Sequence, residues 1–236
     1  MCRILRWLFF ALVVHPLVLV AIGVNVICNR KYLPRHGPAI IVANHNSHLD
    51  TLVLMTLLPM QMLTRIQPVA AEDYFLKNRI LAWFAVNIIG ILPIVRKYVP
   101  GKPDPLMPAC KALTGGRVLI IYPEGSRGEP EHMTHLKKGI AHLARRYPQV
   151  PVVPVFLHGL GKILPRGKYL PVPFCCDVFV GKPLYGEKNI DVFMWKLKSS
   201  FETLSHQQQF PVPFGVTRLP QPQAGGTGIT TTQTTD

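Results

Sequence analysis

The order of short apolar runs and helical patterns along the chain constrains its fold most. Runs rich in β-branched residues predict strands at 39–43, 118–122, 152–157 and 177–180. Segments with helical periodicity lie between and after them, at 50–62, 75–88, 104–114, 137–147 and 189–206. A chain of 236 residues has room for one core. We therefore predict a single α/β domain with a largely parallel sheet flanked by helices.

An apolar run near the start of the chain points to a membrane. Residues 7–24 are apolar except for His15, and two arginines precede the run. With about 18 residues, it is at the lower limit for crossing the hydrocarbon of a bilayer. It fits a spanning helix, a segment that enters one leaflet and bends at His15-Pro16, or a cleaved signal peptide. We assign residues 1–30 to an N-terminal membrane-anchoring segment and residues 31–210 to the α/β domain.

The last part of the chain has a different composition from the rest. Proline, glycine, threonine and glutamine dominate residues 211–236, where only Arg218 and Asp236 are charged. A segment with so few apolar side chains cannot bury enough surface to fold. We predict that residues 211–236 form a disordered tail that the chemistry does not need.

The charge of the chain favours negatively charged partners. Lysine and arginine outnumber aspartate and glutamate by 26 to 12, which gives a net charge of +14. Anionic lipid and nucleic acid would both suit this charge. Nucleic acid is disfavoured, because no basic helix or aromatic-basic strand motif is present and the mean hydropathy is +0.23. The five scattered cysteines form no disulfide or zinc motif and suit a cytoplasmic compartment.

The stretch with the most candidate catalytic residues follows the first predicted strand. It reads Asn-His-Asn-Ser-His-Leu-Asp over residues 44–50 and stands between two apolar elements. His45 and Asp50 would lie about 140° apart around a continuous helix, so only an intervening turn lets them meet. A carboxylate on one imidazole nitrogen fixes the tautomer, while the other nitrogen can take a hydroxyl proton. The pair therefore suits the activation of an alcohol as a nucleophile.

Two other interpretations of this stretch stay open. Asp50 could act only as a helix cap, with the histidines bonded to backbone groups of the turn. His45, His48 and Asp50 could also hold a metal ion, although no further ligand cluster accompanies them. His132 and His135 form another pair, in a polar stretch that favours solvated loop histidines. We expect no metal and no cofactor.

Polar residues also follow other predicted strands. Arg96 follows an apolar strand that begins after Gly90, and Glu124, Gly125 and Arg127 follow the strand at 118–122. The carboxyl ends of parallel strands meet at one edge of a sheet, where α/β folds build their sites. Arginines there match the geometry and charge of a phosphate. P-loop and dinucleotide motifs are absent, which disfavours nucleotide hydrolysis and hydride transfer.

Four motifs in a fixed order make the chain resemble a known family. His-x4-Asp, Gly-x5-Arg, Pro-Glu-Gly-Ser-Arg and Val-Pro-Val occur in that order within residues 39–159. The set is similar to the four blocks of the glycerolipid acyltransferases, specifically the small bacterial lysophosphatidic acid acyltransferases. The resemblance covers roughly residues 5–205.

The resemblance implies a role for each candidate residue. It implies that His45 is the general base and that Asp50 orients it. It implies four contacts with the acceptor substrate: the phosphate is held by Arg96 and Arg127, and the glycerol by Glu124 and Gly125. Many members read Val-Ala-Lys-Lys-Glu-Leu where this chain has Ala71 in place of the first lysine. This departure bears on the acceptor headgroup and not on catalysis.

The expected activity follows from the resemblance. It implies a membrane-bound enzyme that transfers a fatty acyl group to 1-acyl-glycerol-3-phosphate and gives phosphatidic acid. The expected partners are the lysophospholipid acceptor, acyl-CoA or acyl carrier protein as donor, and membrane lipid at the cytoplasmic face of the inner (cell) membrane. The alternatives are an acyltransferase for another lysolipid headgroup, a hydrolase that uses the same histidine, and a non-catalytic protein that binds anionic lipid.

Overall fold

A computed structural model gives the fold of the protein. It describes residues 2–19, 24–47, 49–75, 78–95, 100–101, 103–125, 136–160 and 176–207. In chain order the strands are β1 (Val24–Cys28), β2 (Ala39–Ala43), β3 (Ile66–Ala71), β4 (Leu92–Ile94), β5 (Val118–Ile121), β6 (Val152–His158) and β7 (Cys176–Val180). They form a seven-stranded sheet in the order β1-β7-β6-β2-β5-β3-β4. The tail predicted at 211–236 lies outside the described residues.

Five neighbouring strands of the sheet run in the same direction. β6, β2, β5, β3 and β4 pair in parallel, and β2 lies between β6 and β5. β7 is antiparallel to β6, and β1 is parallel to β7, so these two strands run the opposite way. Every side chain of β2 is buried, as expected for a strand with both faces covered. The prediction of an α/β domain with a largely parallel sheet is confirmed.

Helices cover both faces of the sheet. In chain order they are α1 (Cys2–Phe9), α2 (His15–Leu17), α3 (Asp50–Thr56), α4 (Glu72–Phe75), α5 (Arg79–Phe84), α6 (Met107–Thr114), α7 (Gly139–Arg146) and α8 (Ile190–His206). Ala39, Ile41 and Ala43 of β2 face a core shared with α3 and with residues 2–19, which we call the N-terminal helical segment. Ile40 and Val42 face a second core shared with α6, α7 and α8. Alternation along the strand thus produces three layers.

The sequence does not predict β1 or β3. β1 overlaps the end of the apolar run, and its pairing with β7 places residues 24–28 in the sheet, although the sequence assigns them to segment 1–30. β3 contains Pro68, which has no amide hydrogen to donate to a ladder. Residues 66–68 pair with β5 and residues 69–71 pair with β4, so Pro68 stands where the pairing changes side.

The helices predicted at 75–88 and 189–206 differ in how well they match the structure. The first is divided at Asn78, whose side-chain oxygen accepts hydrogen bonds from two amides of α5 and caps that helix. α5 then continues into a π-helical turn, Ala85–Ile89. The second matches α8, which Asn189 caps in the same way. Asparagine caps therefore set the start of both helices.

The N-terminal helical segment packs one face against the sheet. A π-helical turn, Phe10–Val14, joins α1 to α2. The buried side chains Arg6, Phe10, Val14 and Val18 are spaced by four residues. On an ideal α-helix each such step overshoots one turn by about 40°, and the wider π-helical turn corrects this drift. One face of the segment therefore stays against the core.

The opposite face of this segment is apolar and exposed. Its exposed apolar side chains are Ile4, Leu5, Trp7, Leu8, Leu12, Val13, Leu17 and Leu19. α5 lies alongside, where the rings of Phe9 and Phe84 meet edge to face at 5.3 Å. With its π-helical turn, α5 exposes Ile80, Leu81, Trp83 and Val86. We call these twelve side chains the apolar surface.

None of the helices in the described part of the chain has the length and apolar character required to cross a bilayer.

Arg6 ties the N-terminal helical segment to the sheet. Its guanidinium is buried and donates hydrogen bonds of 2.9 Å to the carbonyl oxygens of Ile66 and Ile89. Burial, and then the positive charge of Arg117, lower the pKa of Arg6 to about 10. The side chain stays protonated at neutral pH, so both hydrogen bonds are charge-assisted. Because Ile66 begins β3 and Ile89 ends the π-helical turn before β4, one side chain holds three elements together.

Candidate active site

The turn after β2 brings His45 and Asp50 into contact. Nδ1 of His45 lies 2.9 Å from Oδ2 of Asp50, which is the first residue of α3. The side chain of Asp50 is fully buried, whereas that of His45 is 22% exposed. The imidazole is therefore held at one nitrogen and accessible from outside the protein.

The Asp50 carboxylate accepts its backbone hydrogen bonds from the turn that precedes α3. Oδ2 accepts hydrogen bonds from the backbone amides of Asn46 (2.7 Å) and Ser47 (2.8 Å), which both precede α3. The N-cap position of α3 is Leu49, whose side chain makes no capping hydrogen bond. The helix-cap interpretation of Asp50 therefore does not account for the geometry. Three donors fix the position of one carboxylate oxygen, and with it the orientation of the imidazole.

A buried asparagine fixes the start of this turn. Asn44 donates to the carbonyl oxygen of Leu157 (2.8 Å) and accepts from the amide of the same residue (2.7 Å). The side chain of Asn46 adds a hydrogen bond of 3.1 Å to that carbonyl oxygen. These contacts continue the pairing of β2 with β6 beyond Ala43. His45 therefore leaves the sheet from a fixed backbone position.

The motif after β5 lies beside the turn after β2. Glu124 is buried, and its Oε1 accepts a hydrogen bond of 3.4 Å from the backbone amide of His45. β2 and β5 are parallel neighbours, so their carboxyl ends lie at the same edge of the sheet. The two motifs therefore share one site, as the position of polar residues after these strands predicts.

Tyr122 connects the two motifs through its ring and its hydroxyl. The ring stacks on the imidazole of His45, with centroids 4.1 Å apart and planes that differ by 18°. The hydroxyl lies 2.8 Å from Oγ1 of Thr51 on α3. Burial, and then the negative charge of Asp50, raise the pKa of Tyr122 well above its ordinary value. The phenol therefore stays neutral and hydrogen-bonded.

Gly125 closes the turn after β5 and lies under a lysine. Its φ is 73°, and its amide donates a hydrogen bond of 3.1 Å to the carbonyl oxygen of Tyr122. A Cβ at Gly125 would collide with the end of the Lys137 side chain. The amide of Lys137 donates to the carbonyl oxygen of Pro123 at 2.8 Å. An ammonium group thus lies over the turn that carries Glu124.

The structure brings four of the predicted site residues to one edge of the sheet: His45, Asp50, Glu124 and Gly125. Five other candidates lie outside the described residues: His48, Arg96, Arg127, His132 and His135. Within the part of the chain that the structure describes, no group of three or more histidine, cysteine, aspartate or glutamate side chains could hold a metal ion.

Sequence reasoning misses Asn44, Tyr122 and Lys137. The signal for Asn44 is its place directly after a buried strand, since a buried amide needs hydrogen-bond partners. The signal for Tyr122 is an aromatic residue in the same motif as Glu124. Lys137 belongs to a Leu-Lys-Lys-Gly stretch at 136–139 that lies between the last two motifs, but only the folded chain shows that it lies near Gly125.

The arrangement suits removal of a proton from a hydroxyl group. With Nδ1 on a buried carboxylate, Nε2 of His45 is the nitrogen that can accept a proton. The negative charge of Asp50 then stabilises the imidazolium that forms. Lys137 adds positive charge to the same edge, which favours an anionic substrate.

Comparisons with known proteins cover the part of the chain that contains this site. The model of the acyltransferase family matches residues 25–158, which include every described residue of the candidate site. The fold is similar to the crystal structure of the 1-acyl-sn-glycerophosphate (LPA) acyltransferase PlsC from Thermotoga maritima, with a TM-score of 0.67 and 19% identity. That match covers 88% of this chain and 80% of the other, and it shows a shared fold.

Two curated relatives extend the comparison. A chloroplastic 1-acyl-sn-glycerol-3-phosphate acyltransferase of Brassica napus, BAT2, is 28% identical over 152 residues, or 64% of this chain and 42% of that protein. The 1-acyl-sn-glycerol-3-phosphate acyltransferase alpha of Mus musculus is 30% identical over 147 residues, or 62% of this chain and 49% of that protein. The chain thus spans less than half the length of these curated relatives.

Proposed function

Because the chain belongs to the acyltransferase family, we propose that it transfers a fatty acyl group to the free hydroxyl of a lysophospholipid. The proposed acceptor is 1-acyl-glycerol-3-phosphate, the donor is acyl-CoA or acyl carrier protein, and the product is phosphatidic acid. The names of the two curated relatives support this acceptor. The observation that carries the proposal is the 2.9 Å contact of His45 with Asp50.

The reaction is a direct transfer in which His45 acts as the general base. Its Nε2 takes the proton of the acceptor hydroxyl while the hydroxyl oxygen bonds to the carbonyl carbon of the thioester. Asp50 keeps the proton on Nδ1 and stabilises the imidazolium. The C–S bond then breaks, and the leaving thiolate takes up the proton that His45 carries. The acyl group ends as an ester of the acceptor.

The acceptor phosphate is proposed to bind Arg96 and Arg127. Support comes from their place in the sequence, shortly after β4 and two residues after Gly125. Guanidinium groups match a phosphate in geometry and in charge. Glu124 and Gly125 are proposed to position the glycerol, and the contact of Glu124 with the backbone of His45 supports this.

The proposed location of the protein is the cytoplasmic face of the inner (cell) membrane. We propose that the apolar surface enters one leaflet, so that acceptor and product stay in the lipid. The support is the side-by-side packing of α5 and the N-terminal helical segment, which both expose apolar side chains. A continuous exposed apolar patch of this kind marks a membrane or partner site. The net charge of +14 suits anionic lipid.

A donor-by-acceptor activity matrix with the purified protein tests the proposed function. Acyl-CoA and acyl carrier protein are each combined with lysophosphatidic acid, lysophosphatidylcholine, lysophosphatidylethanolamine and a lyso-aminolipid, and with no lipid acceptor. We expect transfer to lysophosphatidic acid to exceed transfer to every other acceptor. Acceptors with different headgroups are included because Ala71 stands where similar sequences carry a lysine. Release of free fatty acid without transfer would identify a hydrolase.

Two histidine variants test the base in the same matrix. His45→Ala should lose roughly 100- to 10,000-fold in kcat, because the acceptor hydroxyl needs a positioned base. His206→Ala, at the exposed end of α8, is the control and should keep its activity. Transfer that persists in folded His45→Ala protein would rule out the general-base mechanism.

A further inference from the structure

We propose that Tyr122 is a positioning residue that sets the plane of the His45 imidazole and so aims Nε2 at the acceptor hydroxyl. The inference rests on the proposed function, in which His45 is the general base. It assigns a role to a residue of the motif after β5 that is neither the base nor one of the proposed acceptor contacts.

The Tyr122 ring covers one face of the imidazole. The ring centroids are 4.1 Å apart and the planes differ by 18°. The hydrogen bond to Asp50 holds the imidazole only at its Nδ1 edge. A ring held at one atom can tilt about that contact, and the tilt moves the opposite nitrogen. An aromatic surface in stacking contact restricts this motion.

Tyr122 is itself held by the helix that carries Asp50. Its hydroxyl lies 2.8 Å from Oγ1 of Thr51, the residue after Asp50. Its carbonyl oxygen accepts a hydrogen bond of 3.1 Å from the amide of Gly125. Consecutive residues of α3 therefore hold the edge of the imidazole and the ring that covers its face.

The stack also acts on the charged form of His45. An aromatic face attracts a cation, so it favours the imidazolium that forms during transfer. Within the described part of the chain, the charged groups around this site include the Asp50 carboxylate on α3, the Glu124 carboxylate after β5 and the Lys137 ammonium over that turn. Removal of the Tyr122 ring changes none of these charges. We therefore expect a lower kcat with intact substrate binding.

Three substitutions separate the effect of the ring from that of the hydroxyl. Tyr122→Phe keeps the ring, Tyr122→Leu removes it, and Thr51→Val removes the tether. We expect kcat to fall roughly 10- to 50-fold in Tyr122→Leu, with KM for both substrates within about 3-fold of the wild type. Tyr122→Phe should keep kcat within about 3-fold, and Thr51→Val should lose less than Tyr122→Leu.

Tyr147→Leu is the matched control. Tyr147 also pairs with a threonine, Thr114, at 3.0 Å, but it packs against the core on the other face of the sheet. Its loss should leave kcat unchanged in the folded protein. If Tyr122→Leu does not fold, Tyr122→Met fills a similar volume with a flexible apolar side chain, and the same loss of kcat is expected.

A second readout does not depend on activity. The ring current of Tyr122 shifts the imidazole protons of His45 in the NMR spectrum, which His45→Ala identifies. We expect this shift to persist in Tyr122→Phe and to disappear in Tyr122→Leu. Absence of the shift in the wild type would overturn the stack, whatever the activity of the protein.

The outcomes separate this inference from the proposed function. If wild-type protein transfers acyl groups and Tyr122→Leu keeps full kcat after losing the shift, the positioning role is wrong and the function stands. An increase in KM with unchanged kcat would make Tyr122 a substrate contact and would also overturn the role. If His45→Ala is fully active, the base assignment fails, and with it the positioning role.

Discussion

The buried guanidinium of Arg6 lies against Gly90, in the space that a side chain at residue 90 would occupy. A Cβ at this position would collide with the guanidinium. Gly90 also has a φ of 79°, which L side chains rarely adopt. Arg6 cannot move aside easily, because hydrogen bonds to Ile66 and Ile89 hold it. Gly90 therefore leaves room for the guanidinium that attaches the N-terminal helical segment to the sheet.

Gly90→Ala should destabilise the protein more than Gly116→Ala. Gly116 has a similar φ of 69°, but no described atom outside its chain neighbours lies within 4 Å of a Cβ there. We expect a loss of about 1–2 kcal/mol in the control from backbone conformation, and of about 2–4 kcal/mol in Gly90→Ala. Thermal unfolding in detergent measures both. Arg6→Ala should remove most of the difference, and equal losses in the two alanine variants would refute the collision.

Asp50→Asn should impair catalysis without unfolding the protein. The amide keeps the shape of the carboxylate but cannot stabilise the imidazolium by charge, so kcat should fall roughly 100- to 10,000-fold. Asp191→Asn is the control, because Asp191 also lies in the first turn of a helix but is exposed. Steady-state kinetics and circular dichroism on both variants give the comparison. If kcat changed no more in Asp50→Asn than in Asp191→Asn, the Asp50 carboxylate would have no catalytic role.

Arg96→Ala and Arg127→Ala should weaken use of the phosphate-bearing acceptor. Loss of a charged hydrogen bond costs about 1.5–3 kcal/mol, or roughly 10- to 150-fold in kcat/KM. The thioester donor should be spared, and lysine at either position should restore only part of the activity, because it lacks the planar fork. The acceptor series described above supplies the measurement. Equal losses on every acceptor, including one without phosphate, would mean that the arginines are structural.

Charge on the apolar surface should release the protein from membranes. Leu12→Glu and Ile80→Glu place a carboxylate on the two adjacent helical segments, at side chains that are 70% and 81% exposed. We expect each to weaken binding to anionic vesicles by about 10-fold or more, since burial of an apolar side chain contributes about 1.5–3 kcal/mol. Trp195→Glu is the control, because Trp195 is 68% exposed on α8, which packs on the other face of the sheet. Flotation assays would contradict the membrane proposal if all three variants bound equally.

Two aspartates should give stability profiles of opposite sign with pH. Burial raises the pKa of Asp177, whereas the Leu106 amide and then Arg146 lower the pKa of Asp104. Above its ordinary pKa of about 4, ionised Asp177 is therefore unfavourable in the fold, so Asp177→Asn should raise the Tm near neutral pH and not at about pH 3. Asp104 stabilises the fold above its ordinary pKa and loses this effect as the pH falls. Asp104→Asn should therefore lower the Tm near neutral pH, and a shift of both variants in one direction would contradict the assignment.

The strands at the centre of the sheet could be predicted because both of their faces are buried. β2, β5 and β6 are nearly continuous apolar runs, which few other elements of this length produce. The contact of His45 with Asp50 follows from spacing, since only a turn lets the two side chains meet. The turn that holds His45 lies between a predicted strand and a predicted helix, so the sequence also predicts its position.

The features of the fold and site that the sequence does not predict depend on contacts between segments that lie far apart in the sequence. Arg6 has the sequence signature of a charge that flanks an apolar run, yet its partners lie 60 and 83 residues away. Pro68 argues against a strand unless the change of pairing partner in β3 is known. Tyr122 ends an apolar run, and no local pattern shows that its ring reaches His45. These features arise from the order of strands, which the sequence pattern does not specify.

The reversed direction of β1 determines where the chain enters the sheet. Val24 and Asn25 pair with the start of β7, and Asp177 of β7 pairs with His158 at the end of β6. β1 therefore begins at the edge of the sheet that holds His45, and the five residue steps from Leu19 to Val24 span at most about 18 Å. If the apolar surface enters one leaflet as proposed, its last side chain, Leu19, is therefore joined to the catalytic edge of the sheet by a short piece of chain, and the proposed lysolipid acceptor could reach that edge from the same leaflet.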